Sequence, residues 1–465
     1  MKTILALAAI LVGVTSLYAA DVPVTGFVES PDGKPVGGAH VNFMDQSAVS
    51  SADGKFKISV NEDYLGQSLC VTTEDGKFGA YARVMGGHTD DLHVRLKPCV
   101  SMVVHFSGPD GKPLPDFDFE VWSSGGFEGR SEKTDANGNN TLLGLIASDA
   151  CYVSWGASSI GTTMLERGRK RVKVSSDISV VIKVLAFVAP KGAVGATSET
   201  RCKSLSNYCL DPAGQFLACD EQDKCIRVLS ADDKLVKKMK LDFGPQAIAC
   251  ADDGSIIIAG SGKIVRLDAD GKVIKTASLP GNGRSATAVA TMGKDVFVCA
   301  SSKSGYTIYR INEELGDSAP IIKGLRGCCG QMDFKTHDGV IYVAANCDFK
   351  VKKFDRTGKL LGEFGKHTGK SEESFGGCCE PKNVTFDKDG NVLVSESSDC
   401  CVKKFTPDGK YLGYLGAVSD ITGCVRVTIA LSKDEKNIYM LDTDHNIIRP
   451  VPPGKPKKIR NEDAM

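Results

Sequence analysis

The chain lacks an excess of charge of either sign: 57 Lys and Arg stand against 57 Asp and Glu in 465 residues. A balanced surface offers no overall field to attract nucleic acid or an anionic membrane. The basic runs ERGRKRVK (166–173) and GKPKKIR (454–460) are short enough to be solvated strand or loop faces. Beyond the first 20 residues no apolar run reaches membrane-spanning length. The nucleophile elbow, the His-Glu-x-x-His helix, the phosphate loop and the dinucleotide-binding glycine pattern are all missing, which removes the usual sequence routes to hydrolase, NTPase and dehydrogenase chemistry. Histidine is sparse, at seven residues, and no Cys-x-x-Cys spacing occurs.

What is present begins with a leader. Met1 and Lys2 precede an apolar stretch from Ile4 to Leu17 that ends at Tyr18-Ala19-Ala20-Asp21. A basic start, a short apolar core and small closing residues predict a signal peptide over 1–20. No cysteine follows to carry a lipid. The expectation is a secreted or periplasmic chain, in a compartment where disulfides persist.

Residues 21–97 alternate apolar and polar positions (Val24, Gly26, Val28; Ala39, Val41, Phe43; Phe56, Ile58, Val60), broken by Asp-Gly turns. This predicts short antiparallel strands of a β-sandwich. The segment from Gly33 to Ala39 (GKPVGGA), followed by Ser50 to Phe56 (SSADGKF), closely resembles the carboxypeptidase regulatory-like, transthyretin-like domain, which implies a spacer or adhesion module on an exported protein. Residues 98–185 repeat the scheme in degraded form, PDGKPL echoing PDGKPV, and predict a second sandwich. Residues 186–200 read as a small-residue connector, and 456–465 as a polar tail.

From residue 201 to 455 a pattern recurs about every 40–50 residues. Each unit has a strong apolar strand (FLACD, SIIIAG, DVFVCA, VIYVAA, NVLVSE, NIYMLD) and a following strand (CIRVL, KIVRL, TIYRI, KVKKF, CVKKF, NIIRP), and two close with an Asp-x-x-Gly-Lys turn (DADGK, DRTGK). Six units of four strands build a closed radial array without long exposed edges. The stretch resembles an NHL-type six-bladed propeller, with segments from both ends of the ring sharing one blade. The predicted fold class is therefore all-β: one or two small β-sandwich domains followed by a six-bladed β-propeller.

Fourteen of the 17 cysteines lie in the propeller region. By strand direction, eleven fall on one end, here called the top: Cys202, Cys328, Cys329, Cys378, Cys379 and Cys424 in loops leading into innermost strands, and Cys219, Cys225, Cys347, Cys400 and Cys401 at or beside the loops between second and third strands. Blades one, four and five have cysteine in both loops, which predicts staples within blades. The expected pairs are Cys202 with Cys219 or Cys225, Cys328 or Cys329 with Cys347, and Cys378 and Cys379 with Cys400 and Cys401. Cys424, with no opposite cysteine, is the candidate free thiol. The rival reading is a thiolate-bound metal or redox site at the channel mouth.

A second constellation is acidic. Asp220, Glu396 and Asp442 end second strands, with Asn207 and Asn383 on inner strands, and oxygen ligands of this kind suit a divalent cation such as calcium. The gluconolactonase family resembles this chain in its six-bladed architecture and implies that alternative: a metal-dependent hydrolase or lyase. Acids at such junctions also serve as turn caps. No catalytic residue is singled out. The chain reads first as a binding or scaffold protein whose top face takes a protein, peptide or glycan, with nothing to fix its oligomeric state.

Overall fold

The structure is a computed structural model that describes residues 21–43, 46–61, 68–85, 87–123, 129–156, 158–160, 163–302, 305–327, 331–367, 372–377, 379–418 and 425–455. The leader expected at 1–20, the tail expected at 456–465 and Cys328, Cys329, Cys378 and Cys424 lie outside the described residues. Among the described residues the regular elements are strands and short 3-10 turns, and no helix is long and apolar enough to cross a membrane. The chain divides into two compact units, meeting in sequence at Phe187 and Val188.

In the first unit, Asp21–Glu29 pairs antiparallel with Lys55–Asn61 and parallel with Leu92–Arg95. Its alternate residues Val24 and Val28 are buried with Val41, Phe43, Ile58 and Leu69 in one core. A second core gathers Met102, Val104, Phe106, Phe119, Leu142 and Val153. One strand, Lys97–Ser107, serves both sheet systems. Lys97 and Pro98 pair with Gly79 and Phe78, while later residues pair with Asn139–Ile146 and Ile178–Lys183. The boundary expected at residue 97 is thus the first residue of a shared strand.

The second unit contains five four-stranded antiparallel sheets and a three-stranded one. Their inner strands are Leu205–Leu210, Ala247–Cys250, Ala286–Met292, Asp333–His337, Asn383–Phe386 and Ile429–Leu431. These define blades 1 to 6 of a propeller. Period-two alternation sends successive side chains to opposite neighbours: Leu217 and Cys219 pack toward blade 2, while Phe216 and Ala218 pack toward blade 6.

The recurrent turn has a physical cause. In blade 2 the Oδ1 of Asp268 accepts the N–H groups of Asp270 and Lys272 at 3.0 and 2.8 Å, and in blade 4 Asp355 accepts those of Thr357 and Lys359 at 2.8 and 3.0 Å. The glycine of each turn has positive φ, +87° at Gly271 and +89° at Gly358. It also abuts the preceding blade: a Cβ at Gly271 would lie 2.4 Å from Met239 Sδ, and one at Gly358 would lie 2.1 Å from the Ile321 carbonyl oxygen. Turn chemistry and blade spacing thus require glycine at the same position.

The ring closes through the segment read from sequence as a connector. Phe187 N–H donates to Met164 O within the first unit. Val194 exchanges two hydrogen bonds with Ile448, at 2.7 and 2.8 Å, and so supplies the fourth, outer strand of blade 6. Gly195 and Ala196 then donate to the Asp233 carboxylate at 2.7 and 3.1 Å, tying the same segment to blade 1. Tyr208 Oη donates to Tyr439 O at 2.9 Å across the seam. Residues 186–200 therefore belong to the two folded units. Val194→Pro removes a buried donor and leaves the Ile448 carbonyl unpaired, so it should destabilise the propeller by about 2 kcal/mol, read as a lower urea midpoint with unchanged slope.

Candidate functional site

The acids predicted as ligands end second strands as expected, but each is engaged within its own blade. Asp220 in blade 1 is fully buried. It accepts N–H bonds from Lys203, Ser204 and Asp223 at 3.0, 3.2 and 3.1 Å, and Arg227 Nε donates to it at 3.1 Å. Glu396 in blade 5 accepts from Gly376 N–H at 2.7 Å and pairs with Lys403. Asp442 in blade 6 accepts from His445 Nδ1 at 2.9 Å and Arg449 Nη1 at 3.0 Å. Burial opposes its charge, yet these bonds outweigh burial and hold its pKa below the usual carboxylate value. The cation comes each time from the third strand, seven residues after the acid: Arg227, Lys403, Arg449.

Among the described residues one grouping has metal-ligand spacing: Asp220, Asp223 and Cys225, whose ligand atoms lie within 4.8 Å of one another. It includes neither Glu396 nor Asp442. Asp223 is itself paired with Lys203, Arg227 and Lys238, and the bonds from Lys203 and Lys238 hold its pKa down at about 2.

The inner-strand residues converge on the propeller axis, around a residue the sequence reading passed over. Arg426, three residues ahead of the blade 6 inner strand, donates from Nη1 to Ser206 O and Gln246 O, both at 3.1 Å, and from Nη2 to Thr287 O. One guanidinium thus joins blades 1, 2 and 3. On the other side Asn383 Nδ2 donates to Asp333 Oδ2 at 2.8 Å, and Asn383 Oδ1 accepts from Ile429 N–H at 3.0 Å, joining blades 4, 5 and 6. Burial raises the pKa of Asp333, opposed by the charges of Lys335 and Arg426. Asn207 Oδ1 accepts from Tyr208 N–H at 2.9 Å, the same bond Asp333 Oδ1 makes with Phe334 N–H at 2.8 Å. Asn207, Asp333 and Asn383 hold one repeat position. That register was readable, although Asp333 was not named.

The top-face thiols form two groups. In blade 1, Cys202, Cys219 and Cys225 are buried free thiols. Burial pushes the pKa of Cys202 well up, helped by Asp220, and does the same for Cys219, helped by Cys202. In blade 5, Cys400 Sγ donates to Ser397 O at 3.2 Å, Cys401 Sγ faces Glu396 Oε1 at 3.8 Å, and Lys382 Nζ donates to Cys379 Sγ at 3.3 Å. Burial lifts Cys400 to about 12. Cys202, Cys219, Cys225, Cys400 and Cys401, from which staples were expected, are free thiols in this structure. Cys347 sits in the turn Asn346–Asp348 of blade 4, and its expected partners lie outside the described residues.

One further group escaped the sequence reading because only the fold buries it. Glu380 is 2% exposed. Its Oε1 accepts Ser397 N–H, Ser397 Oγ–H and Ser398 N–H at 2.9, 2.8 and 2.9 Å. Among the described residues its Oε2 is buried without a partner. Burial raises its pKa from 4.5 to about 7, against the pull of Lys382.

No family model matches this sequence, and no curated protein does. Solved structures are similar at low identity. Virginiamycin B lyase from Staphylococcus aureus is 13% identical over 64% of this chain and 94% of its own, with a TM-score of 0.38. A gluconolactonase from Xanthomonas campestris is 13% identical over 54% and 87%, at 0.41. A protein of unknown function from Bacteroides thetaiotaomicron is 14% identical over 93% and 94%, at 0.44. The propeller itself is read from the six sheets of this chain.

The state of Glu380 fixes a pH signature. Its folded pKa is raised, so the folded chain holds a proton that the unfolded chain releases, and this contribution to stability is complete below pH 4.5 and lost as pH rises toward 7. Glu380→Gln keeps an acceptor for Ser397 and Ser398 without the charge. The variant should gain stability over the parent on going from pH 4.5 to 7, by on the order of 3 kcal/mol, seen in chemical denaturation at both pH values. Parallel profiles for the two proteins would show that Glu380 is ionised at no cost.

Proposed function

We propose that this chain is an exported binding protein, secreted or periplasmic, whose propeller presents its top loops to a protein, peptide or glycan. The propeller would be NHL-type, the first unit carboxypeptidase regulatory-like modules acting as spacer or docking elements, and the top-face cysteines staples of the oxidised chain. One observation carries the reading: Arg426 fills the axis with bonds to three blades, while Asp220, Glu396 and Asp442 are each spent on a cation of their own blade. Polar groups so engaged hold a scaffold in shape. They are not poised to bind a metal or take a proton, because freeing any one breaks an ion pair with a buried cation. Recognition then falls to the loops, where Lys203 and Arg326 are 61% and 74% exposed ahead of the inner strands of blades 1 and 4.

A second reading, a metal-dependent hydrolase or lyase or a thiolate metal or redox protein, draws on the spacing of Asp220, Asp223 and Cys225. The two differ in their response to metal. Saturating calcium or zinc, or removal of metal by chelator, should leave Tm unchanged within about 1 °C, whereas a resident ion at 100 times its Kd would add about 2.7 kcal/mol. Glycan and peptide arrays probed with the full chain should give ligands whose affinity falls about tenfold in the Lys203→Glu, Arg326→Glu double variant. Metal-dependent stabilisation together with turnover of a lactone or ester would replace the binding reading by the enzymatic one.

A further inference from the structure

On the inner strand of blade 1, Cys209 is the residue before last, and on that of blade 2, Cys250 is the last. Both strands run from the top loops toward the opposite end of the propeller, so these cysteines lie away from the top-face thiols. Strand alternation turns each toward the interface between the two blades. Cys209 belongs to the apolar cluster of Leu217, Ile226, Ile248 and Ile256, and Cys250 packs against it. Their sulfurs are 3.5 Å apart, one thiol donating to the other. Cys209 is 8% exposed, and Cys250 is only partly buried.

The geometry points to a disulfide between Cys209 and Cys250 that bolts blade 1 to blade 2. The backbone on both sides is fixed by strand pairing, Cys209 opposite Leu217 and Cys250 opposite Ile256. Closing to the ~2.05 Å of an S–S bond therefore asks about 1.5 Å of side-chain movement. The more accessible Cys250 is the entry point for a small disulfide oxidant. Its thiolate attacks one sulfur of the oxidant and expels the first thiolate, giving a mixed disulfide. Cys209 then attacks Cys250 Sγ and expels the second. Two protein thiols are oxidised, one oxidant disulfide is reduced to two thiols, and the two protons leave with them. The hydrogen bond with Cys250 and burial push the Cys209 thiol well up, opposed by the positive charge of Lys335 from the inner strand of blade 4, so this thiol gives up its proton as it attacks.

The test uses the full chain and oxidised glutathione. After oxidation under native conditions and trapping of remaining thiols, non-reducing digestion should give a linked peptide containing Cys209 and Cys250. Alkylation of Cys250 should drop at least fivefold relative to the reduced chain. Oxidation should raise Tm by roughly 5 °C or more, and a reductant should reverse it. Cys250→Ala should lose the linked peptide and most of that Tm response; if the variant does not fold, the peptide map of the parent chain decides alone. Recovery of both cysteines alkylated, bound to glutathione, or linked to other cysteines would overturn the proposal.

Discussion

The propeller depends on how it satisfies its own axis. The innermost strand of each blade has a sheet neighbour on one side only, so its free edge leaves backbone groups facing the centre, and buried groups of this kind need partners. Arg426 meets three of these demands at once, since a planar guanidinium carries five donors in fixed directions. A lysine at this position would bring three donors on one atom and could not span Ser206, Gln246 and Thr287 in the same way. The other half of the ring uses a neutral amide and an acid, Asn383 and Asp333, to reach the blade 6 backbone. The six blades are thereby tied across the axis in one rotational register.

The same logic explains the acids that drew attention in the sequence. A second strand ends where the chain turns toward the third, and the turn exposes N–H groups that no ladder strand can take. Asp220 takes one of them, from Asp223, and two more from Lys203 and Ser204 in the loop ahead of the inner strand. A buried carboxylate needs a compensating charge, and the position seven residues on, in the adjacent strand, delivers Arg227, Lys403 or Arg449. The pattern reads as a metal constellation when only its acids are counted and as three separate ion pairs when the cations are counted too.

Those cations were visible in CIRVL, CVKKF and NIIRP, so this part of the site was legible. So was the architecture, because a strand period of two and a turn needing both an Asx cap and a positive-φ glycine leave strong local marks. What could not be read is whatever depends on adjacency between blades. Arg426 belongs to no strand, and nothing in GCVRV tells of three carbonyls contributed by residues up to 220 positions earlier. Glu380 looks like any loop acid until the fold buries it against Ser397 and Ser398. Residues 186–200 look like a linker because small residues also suit a strand that completes a blade by backbone bonds alone.

The cysteines illustrate the same limit from another side. Counting them by blade favours partners within a blade, since co-occurrence is all that a repeat pattern displays. Cys209 and Cys250 are 41 positions apart, close to one repeat, so each is the sole cysteine on its inner strand and the pair is invisible to that count. In a radial array, however, residues one repeat apart are the ones that face each other across an interface. A cross-link there acts on the contact between blades, which is the contact that Arg426 and the closing strand at Val194 also secure. Three devices of different chemistry thus oppose the same mode of failure, the opening of the ring.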